Sequence, residues 1–157
     1  YSKLNNSRMK RLDKTIHLSE NDTKLITEVK DKITWLVITE GWCGDAAQNL
    51  PLLNKLAEAS DKIELKLVLR DENPELMDAF LTNGNKAIPK LIQLEKDTLE
   101  VTNTWGPRPS ISTKMVADYK AANGSLDAEF KKDLQIWYNK NKGENLTEDL
   151  IGMISEN

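Results

Sequence analysis

The sequence is poor in the residues from which most metal and disulfide sites are built. It has one cysteine, Cys43, and one histidine, His17, in 157 residues. A lone cysteine excludes an internal disulfide, and one Cys with one His falls well short of a four-ligand zinc cage, so no metal is expected. Long apolar runs are missing as well. The longest uncharged one, Thr34 to Thr39, is far below the roughly 20 residues that a membrane-spanning helix needs. There is no excess of positive charge: 22 basic against 25 acidic residues give a net charge of -3. No field therefore recruits nucleic acid or an anionic membrane, and neither is expected as a partner. With only 7 glycines and 5 prolines there is no linker or low-complexity tract, and a 39% hydrophobic content excludes a disordered chain. A soluble, cytoplasmic protein suits the single thiol.

What remains reads as one domain over residues 1–157. Residues 1–14 carry Lys3, Arg8, Lys10, Arg11 and Lys14 against Asp13. No apolar signal core follows them, so a secretory precursor is not expected, although the initial Tyr1 leaves room for a leader removed before it. A basic helix packing Leu4, Met9 and Leu12 on the domain is the expectation. Ser19 to Asp22 caps a helix over about 20–30. Ile33 to Thr39 is almost continuously apolar and β-branched, a strand buried on both faces. Ala46, Leu50, Leu53 and Ala57 then give the apolar stripe of a helix over about 43–59, with Pro51 inside it. Ile63 to Leu69 alternates as a second strand, and Pro74 opens a short helix to about Leu81. Strands at about 89–94 and 99–105 form a hairpin turning at Lys96-Asp97. Helices follow at about 110–123, ending at Gly124, then one bearing Phe130, Leu134, Trp137 and Tyr138, and a last one at about 147–155 capped by Thr147. A short strand at Thr15 to Leu18, carrying His17, would complete the sheet at its edge. The order β-α-β-α-β-β-α is that of an α/β sandwich whose first two strands are parallel.

The chemistry concentrates where the first strand runs into the helix over about 43–59, at Glu40-Gly41-Trp42-Cys43-Gly44-Asp45-Ala46. A cysteine there meets unpaired backbone N–H groups and the positive helix end, which stabilise a thiolate. Gly44 leaves room for a partner's backbone, and Trp42 offers a flat apolar contact. Asp45, in the first helical turn, competes for the same positive potential and blunts the acidity of the thiol.

Trp42-Cys43-Gly44-Asp45-Ala46 resembles the Trp-Cys-Gly-Pro-Cys motif of thioredoxins. Three further landmarks agree. Pro51 stands where thioredoxins carry a helix-kinking proline, Asp71-Glu72-Asn73-Pro74 looks like their acidic-x-Asn-Pro turn, and Ala87-Ile88-Pro89 matches the site of their cis-proline. The resemblance spans roughly residues 15–118. It implies a thioredoxin fold, a central mixed sheet flanked by helices, with the N-terminal helix and a helical extension over 119–157 added. It also implies that Pro89 is cis and faces Cys43, that Ile88 offers its backbone to an extended peptide, and that the loop Trp105 to Pro109 lies beside both. Arg108 in that loop could pair with Asp45, reach Cys43, or bind a substrate anion.

The departures matter as much. Ala46 replaces the second cysteine and Val37 the buried aspartate that assists it, so the usual dithiol cycle cannot run. Two main readings stay open. Cys43, tuned by Asp45, exchanges with a protein or peptide disulfide and an external low-molecular-weight thiol resolves it, with no bound cofactor. Alternatively, a redox-inactive module binds a peptide or protein through Trp42, Gly44, Ile88, Pro89 and Arg108. A one-cysteine peroxidase is disfavoured, because Glu40 rather than Thr stands three residues before Cys43. Glu40, three residues before Cys43, is a weaker acid/base candidate and reads more simply as a solvated loop acid. Trp35, Phe80, Phe130, Trp137 and Tyr138 read as ordinary packing, and the sequence leaves the oligomeric state open.

Overall fold

The computed structural model describes residues 2–155, without the side chains of residues 2–6, 13 and 15. Their order is α1 (Ser2–Thr15), α2 (Glu20–Thr27), β1 (Ile33–Thr39), α3 (Gly44–Glu58), β2 (Ile63–Leu69), a 3-10 turn at Arg70–Glu72, α4 (Pro74–Ala79), β3 (Lys90–Glu95), β4 (Val101–Trp105), α5 (Ser110–Asn123), α6 (Ala128–Asn141) and α7 (Glu144–Ser155). The four strands form one mixed sheet in the order β2-β1-β3-β4. The apolar β1 takes a central place, parallel to β2 from Ile33↔Ile63 to Thr39↔Leu69 and antiparallel to β3. Strands β3 and β4 are the expected hairpin, with a register break between Gln93 and Leu94.

Because β1 is covered on both faces, Trp35, Val37 and Ile38 are fully buried. Trp35 also buries an indole N–H, which must find an acceptor or cost stability. It donates to Gln93 Oε1 at 3.0 Å, and the fully buried Gln93 amide donates in turn to Thr102 Oγ1 at 3.1 Å. Helix α3 packs Leu50, Leu52, Leu53 and Leu56 into the same core, and Met9 and Leu12 of α1 lie against it. Leu4, expected to do likewise, lies outside the described side chains. The helical extension carries a small core of its own, Val116, Phe130 and Leu134, with Tyr119 and Phe130 stacked 4.3 Å apart.

Three local expectations need correction. Thr15 to Leu18 is not a strand: α1 runs to Thr15, the Ile16 N–H continues it by donating to Leu12 O at 2.9 Å, and the Ile16 side chain sinks into the core. Burial of Ile16 wins over edge pairing, and His17 is left exposed in the connection to α2. Helix α7 starts at Glu144, not Thr147. Its early start is supported by Asn141, whose side-chain oxygen accepts the Asn145 N–H at 3.0 Å, while the Thr147 hydroxyl donates to Gly143 O. The reversal between α6 and α7 needs Gly143, which has φ +81 and whose Cβ would lie 2.5 Å from Leu52 Cδ2. Finally, α4 stops at Ala79, and the 3-10 turn precedes it.

Candidate functional site

Cys43 caps α3. Its extended backbone (φ -80, ψ 117) aims the sulfur back at the helix mouth, where Sγ accepts the Ala46 N–H at 3.4 Å. On its other side the thiol donates to Ile88 O at 3.4 Å. The residue is 8% exposed and belongs to the hydrophobic core. Burial pushes the thiol pKa up, and the Asp45 carboxylate adds to the rise. The Ala46 and Asp45 N–H groups and the Arg108 guanidinium pull the other way without overcoming it. The favourable helix-mouth position expected from sequence is present, yet desolvation outweighs it.

Asp45 is itself held by a polar cluster. Arg108 Nη2 lies 3.0 Å from its Oδ2, the Tyr138 hydroxyl donates to Oδ1 at 3.4 Å, and the Asn49 amide donates both to Asp45 O at 2.7 Å and to Tyr138 Oη at 3.3 Å. Burial raises the Asp45 pKa, opposed first by Arg108 and then by Tyr138. Of the three roles open to Arg108, the structure places it on Asp45, with the two side chains 22% and 21% exposed. Its Nε is buried without a hydrogen-bond partner among the described residues.

The Ile88–Pro89 peptide is cis, as the resemblance implied, and so is Gly106–Pro107. The loop carrying Arg108 lies hard against Pro89: a Cβ at Gly106 would stand 2.2 Å from Pro89 O, which only glycine avoids, and Gly106 has φ +120. Two expectations for the groove change. The Ile88 carbonyl does not stand free for a peptide, because it accepts the Cys43 thiol, and Ile88 is 7% exposed. The space over Gly44 is not open either, since a Cβ there would meet the Arg8 guanidinium of α1 at 3.6 Å.

Trp42 is 46% exposed, with the Arg70 guanidinium 4.9 Å from its ring centroid. Arg70 also donates to Lys86 O at 3.4 Å, tying Trp42 to the loop that leads into Ile88. Glu40 is more than a solvated loop acid: its carboxylate accepts the Asp71 N–H at 2.9 Å and so fixes the 3-10 turn. Tyr138 and Asn49 were missed. Tyr138 sits on an apolar stripe, and only its hydroxyl, at a distance no local pattern encodes, marks it as a site residue. No group of three or more His, Cys, Asp or Glu that could hold a metal occurs among the described residues. Nor is any described helix long and apolar enough to cross a membrane.

No curated protein matches the chain. Among the solved structures that share its fold are two that align over almost the whole chain. A protein of unknown function from Pseudomonas aeruginosa is 16% identical, with a TM-score of 0.73 over 98% of this chain and 85% of the other. An HIV epitope-scaffold protein is 18% identical, with a TM-score of 0.72 over 98% and 86%. The family model described as Thioredoxin matches residues 1–120, which takes in α1 as well as the sheet, the Cys43 turn and the Arg108 loop. The chain belongs to the thioredoxin superfamily.

Proposed function

We propose that this thioredoxin-like chain is a binding module rather than a thiol–disulfide oxidoreductase, and that a peptide or protein segment docks on the surface made by Trp42, Arg70 and the exposed residues 83–86, which lead into the buried Ile88–Pro89 peptide. The observation that carries the reading is the state of the sulfur. Cys43 Sγ is nearly buried and engaged on both sides, by Ala46 N and by Ile88 O. A protonated thiol is a poor nucleophile, and burial favours the protonated form. A second thiol, which dithiol exchange requires, is absent from the sequence. The exposed indole of Trp42, backed by Arg70, supplies the apolar and flat contact that such a module would use. A chain with one thiol suits a reducing compartment such as the cytoplasm.

The decisive measurement is the rate of Cys43 alkylation against pH. The expected profile is slow at neutral pH and rises only above the ordinary thiol value of about 8.5. Fast alkylation at or below neutral pH would overturn the reading. Peptides selected from a displayed library on the intact chain should lose binding to Trp42→Ala. Selected peptides that bind the variant unchanged would remove Trp42 from the surface.

One observation favours the second reading. The Ala46 N–H bonded to Sγ at a helix mouth is a thiolate-stabilising contact. In that reading the Cys43 thiolate attacks a disulfide, forms a mixed disulfide and expels one thiolate. An external low-molecular-weight thiol then attacks the mixed disulfide and restores Cys43. The same alkylation profile separates the two readings, and Cys43→Ser abolishes turnover only in the second.

A further inference from the structure

Strand β2 lies at the end of the sheet, and no described backbone group pairs with its outer edge. The Ile33 N–H donates to Lys62 O at 2.8 Å, and Ile33 is in register with Ile63. In a parallel ladder this means that Lys62, Glu64, Lys66 and Val68 turn their N–H and C=O groups towards β1. Ile63, Leu65 and Leu67 turn theirs outward, as does Leu69, whose C=O already accepts the Asn73 side-chain amide at 2.8 Å. Those same residues make an apolar row on one face, along which Leu67 is 52% and Leu69 42% exposed. An open edge of this kind is a template for another strand unless proline, a bulge, unmatched charges or a covering element blunts it. β2 contains no proline, and α1 runs along α3.

We propose that β2 is the interface of a two-fold homodimer, in which it pairs antiparallel with β2 of a second copy, Leu65 opposite Leu65. The charges choose both the occupant and the register. With Leu65 on the axis, Glu64 of each copy faces Lys66 of the other, and Ile63 faces Leu67. A shift of one residue in the centre, to Lys66, would set like charges opposite each other, which is destabilising. In the chosen register the outward-facing pairs Leu65–Leu65 and Ile63–Leu67 are the hydrogen-bonded ones. The Glu64–Lys66 pairs fall at the non-hydrogen-bonded positions, where side chains approach most closely. Glu64 and Lys66 are about half exposed, and their existing contacts, 3.9 Å to each other and from Glu64 to Lys96, are loose enough to be remade.

Sedimentation equilibrium of the full chain tests this. The wild type should show a monomer–dimer equilibrium. Glu64→Lys and Lys66→Glu should each weaken association by at least about tenfold, and the double swap should restore it. Leu67→Pro removes an outward N–H while leaving the β1 ladder its donors, and should give monomers. Should that variant fail to fold, Leu67→Lys, which sets a charge against Ile63, serves in its place. A wild type that stays monomeric to millimolar concentration overturns the proposal. So does a dimer indifferent to these substitutions, or one that the charge swap fails to restore.

Discussion

The Tyr138 hydroxyl donates to the Asp45 carboxylate across 3.4 Å, so that α6 of the helical extension holds the residue two places after Cys43 from 93 positions away in sequence. The first 120 residues match the family, yet the polar cluster beside the thiol is completed by a side chain that lies beyond them. Tyr138→Phe keeps the ring and removes the donor. The expected loss is about 1 kcal/mol of stability at neutral pH, read as a lowered urea midpoint. The loss should shrink in acid, where Asp45 is protonated and has less need of a donor.

Arg108 is the stronger partner, and its removal leaves a largely buried carboxylate without a counter-charge. Arg108→Met should cost about 2–3 kcal/mol at neutral pH, below the full figure for a buried pair because both side chains keep about a fifth of their exposure. The sign of the pH dependence follows from the direction of the shift. The Asp45 pKa is already raised by burial, and losing Arg108 raises it further. A carboxyl whose folded pKa lies above the unfolded one contributes stability that is whole below about pH 4 and is lost as pH rises through the folded value. The variant should therefore approach wild-type stability in acid and fall away towards neutrality. Urea unfolding at the two pH values checks it, and an equal loss at both would contradict the ion-pair account.

Asp45→Asn acts on the thiol in the opposite direction. It removes a negative charge that raises the Cys43 pKa and leaves Arg108, which lowers it. Alkylation at neutral pH should accelerate several-fold over the wild type, approaching tenfold for each unit by which the pKa falls. The wild-type thiol also predicts an alkaline limb in stability. Its contribution is whole below the unfolded value of about 8.5 and is lost as pH rises through the raised folded value. Cys43→Ser, which does not titrate there, should flatten that limb in urea unfolding from neutral to alkaline pH.

Much of the fold was legible because it rests on local periodicity. The limits of β1 and β2, the strand hairpin and the helix ending at Gly124 follow from apolar alternation and turn residues, and the structure keeps them. The Cys43 turn, the cis peptide before Pro89 and the closeness of the Arg108 loop followed from four landmarks in family order. What could not be read is decided by tertiary burial. Ile16 looks like an edge-strand residue until the core claims it. Thr147 looks like a cap until Asn141, six residues earlier, accepts the Asn145 N–H and the helix starts at Glu144. Glu40 and Tyr138 look like a loop acid and a packing ring, because their partners, Asp71 and Asp45, are 31 and 93 positions distant. Sequence also placed the sulfur at a thiolate-stabilising helix mouth but could not weigh that against its burial.

The last prediction concerns the loop that carries Arg108. Gly106 and Gly124 share a positive φ, +120 and +80, so alanine is strained at either position. Their surroundings differ. A Cβ at Gly124 meets nothing within 4 Å, whereas one at Gly106 would stand 2.2 Å from Pro89 O and 3.3 Å from Lys90 Cα, both backbone atoms that no rotamer change can move aside. Gly124→Ala should therefore cost only the conformational penalty, about 1 kcal/mol. Gly106→Ala must displace either the Pro89 strand entry or the Arg108 loop and should cost about 3 kcal/mol or more. Urea midpoints give the stability difference. The pH profile of Cys43 alkylation gives its location, since a displaced loop draws Arg108 from Asp45 and Asp45 from its balance with the thiol. Equal costs at the two glycines, or an unchanged alkylation profile in Gly106→Ala, would mean that this loop does not position the charges around Cys43.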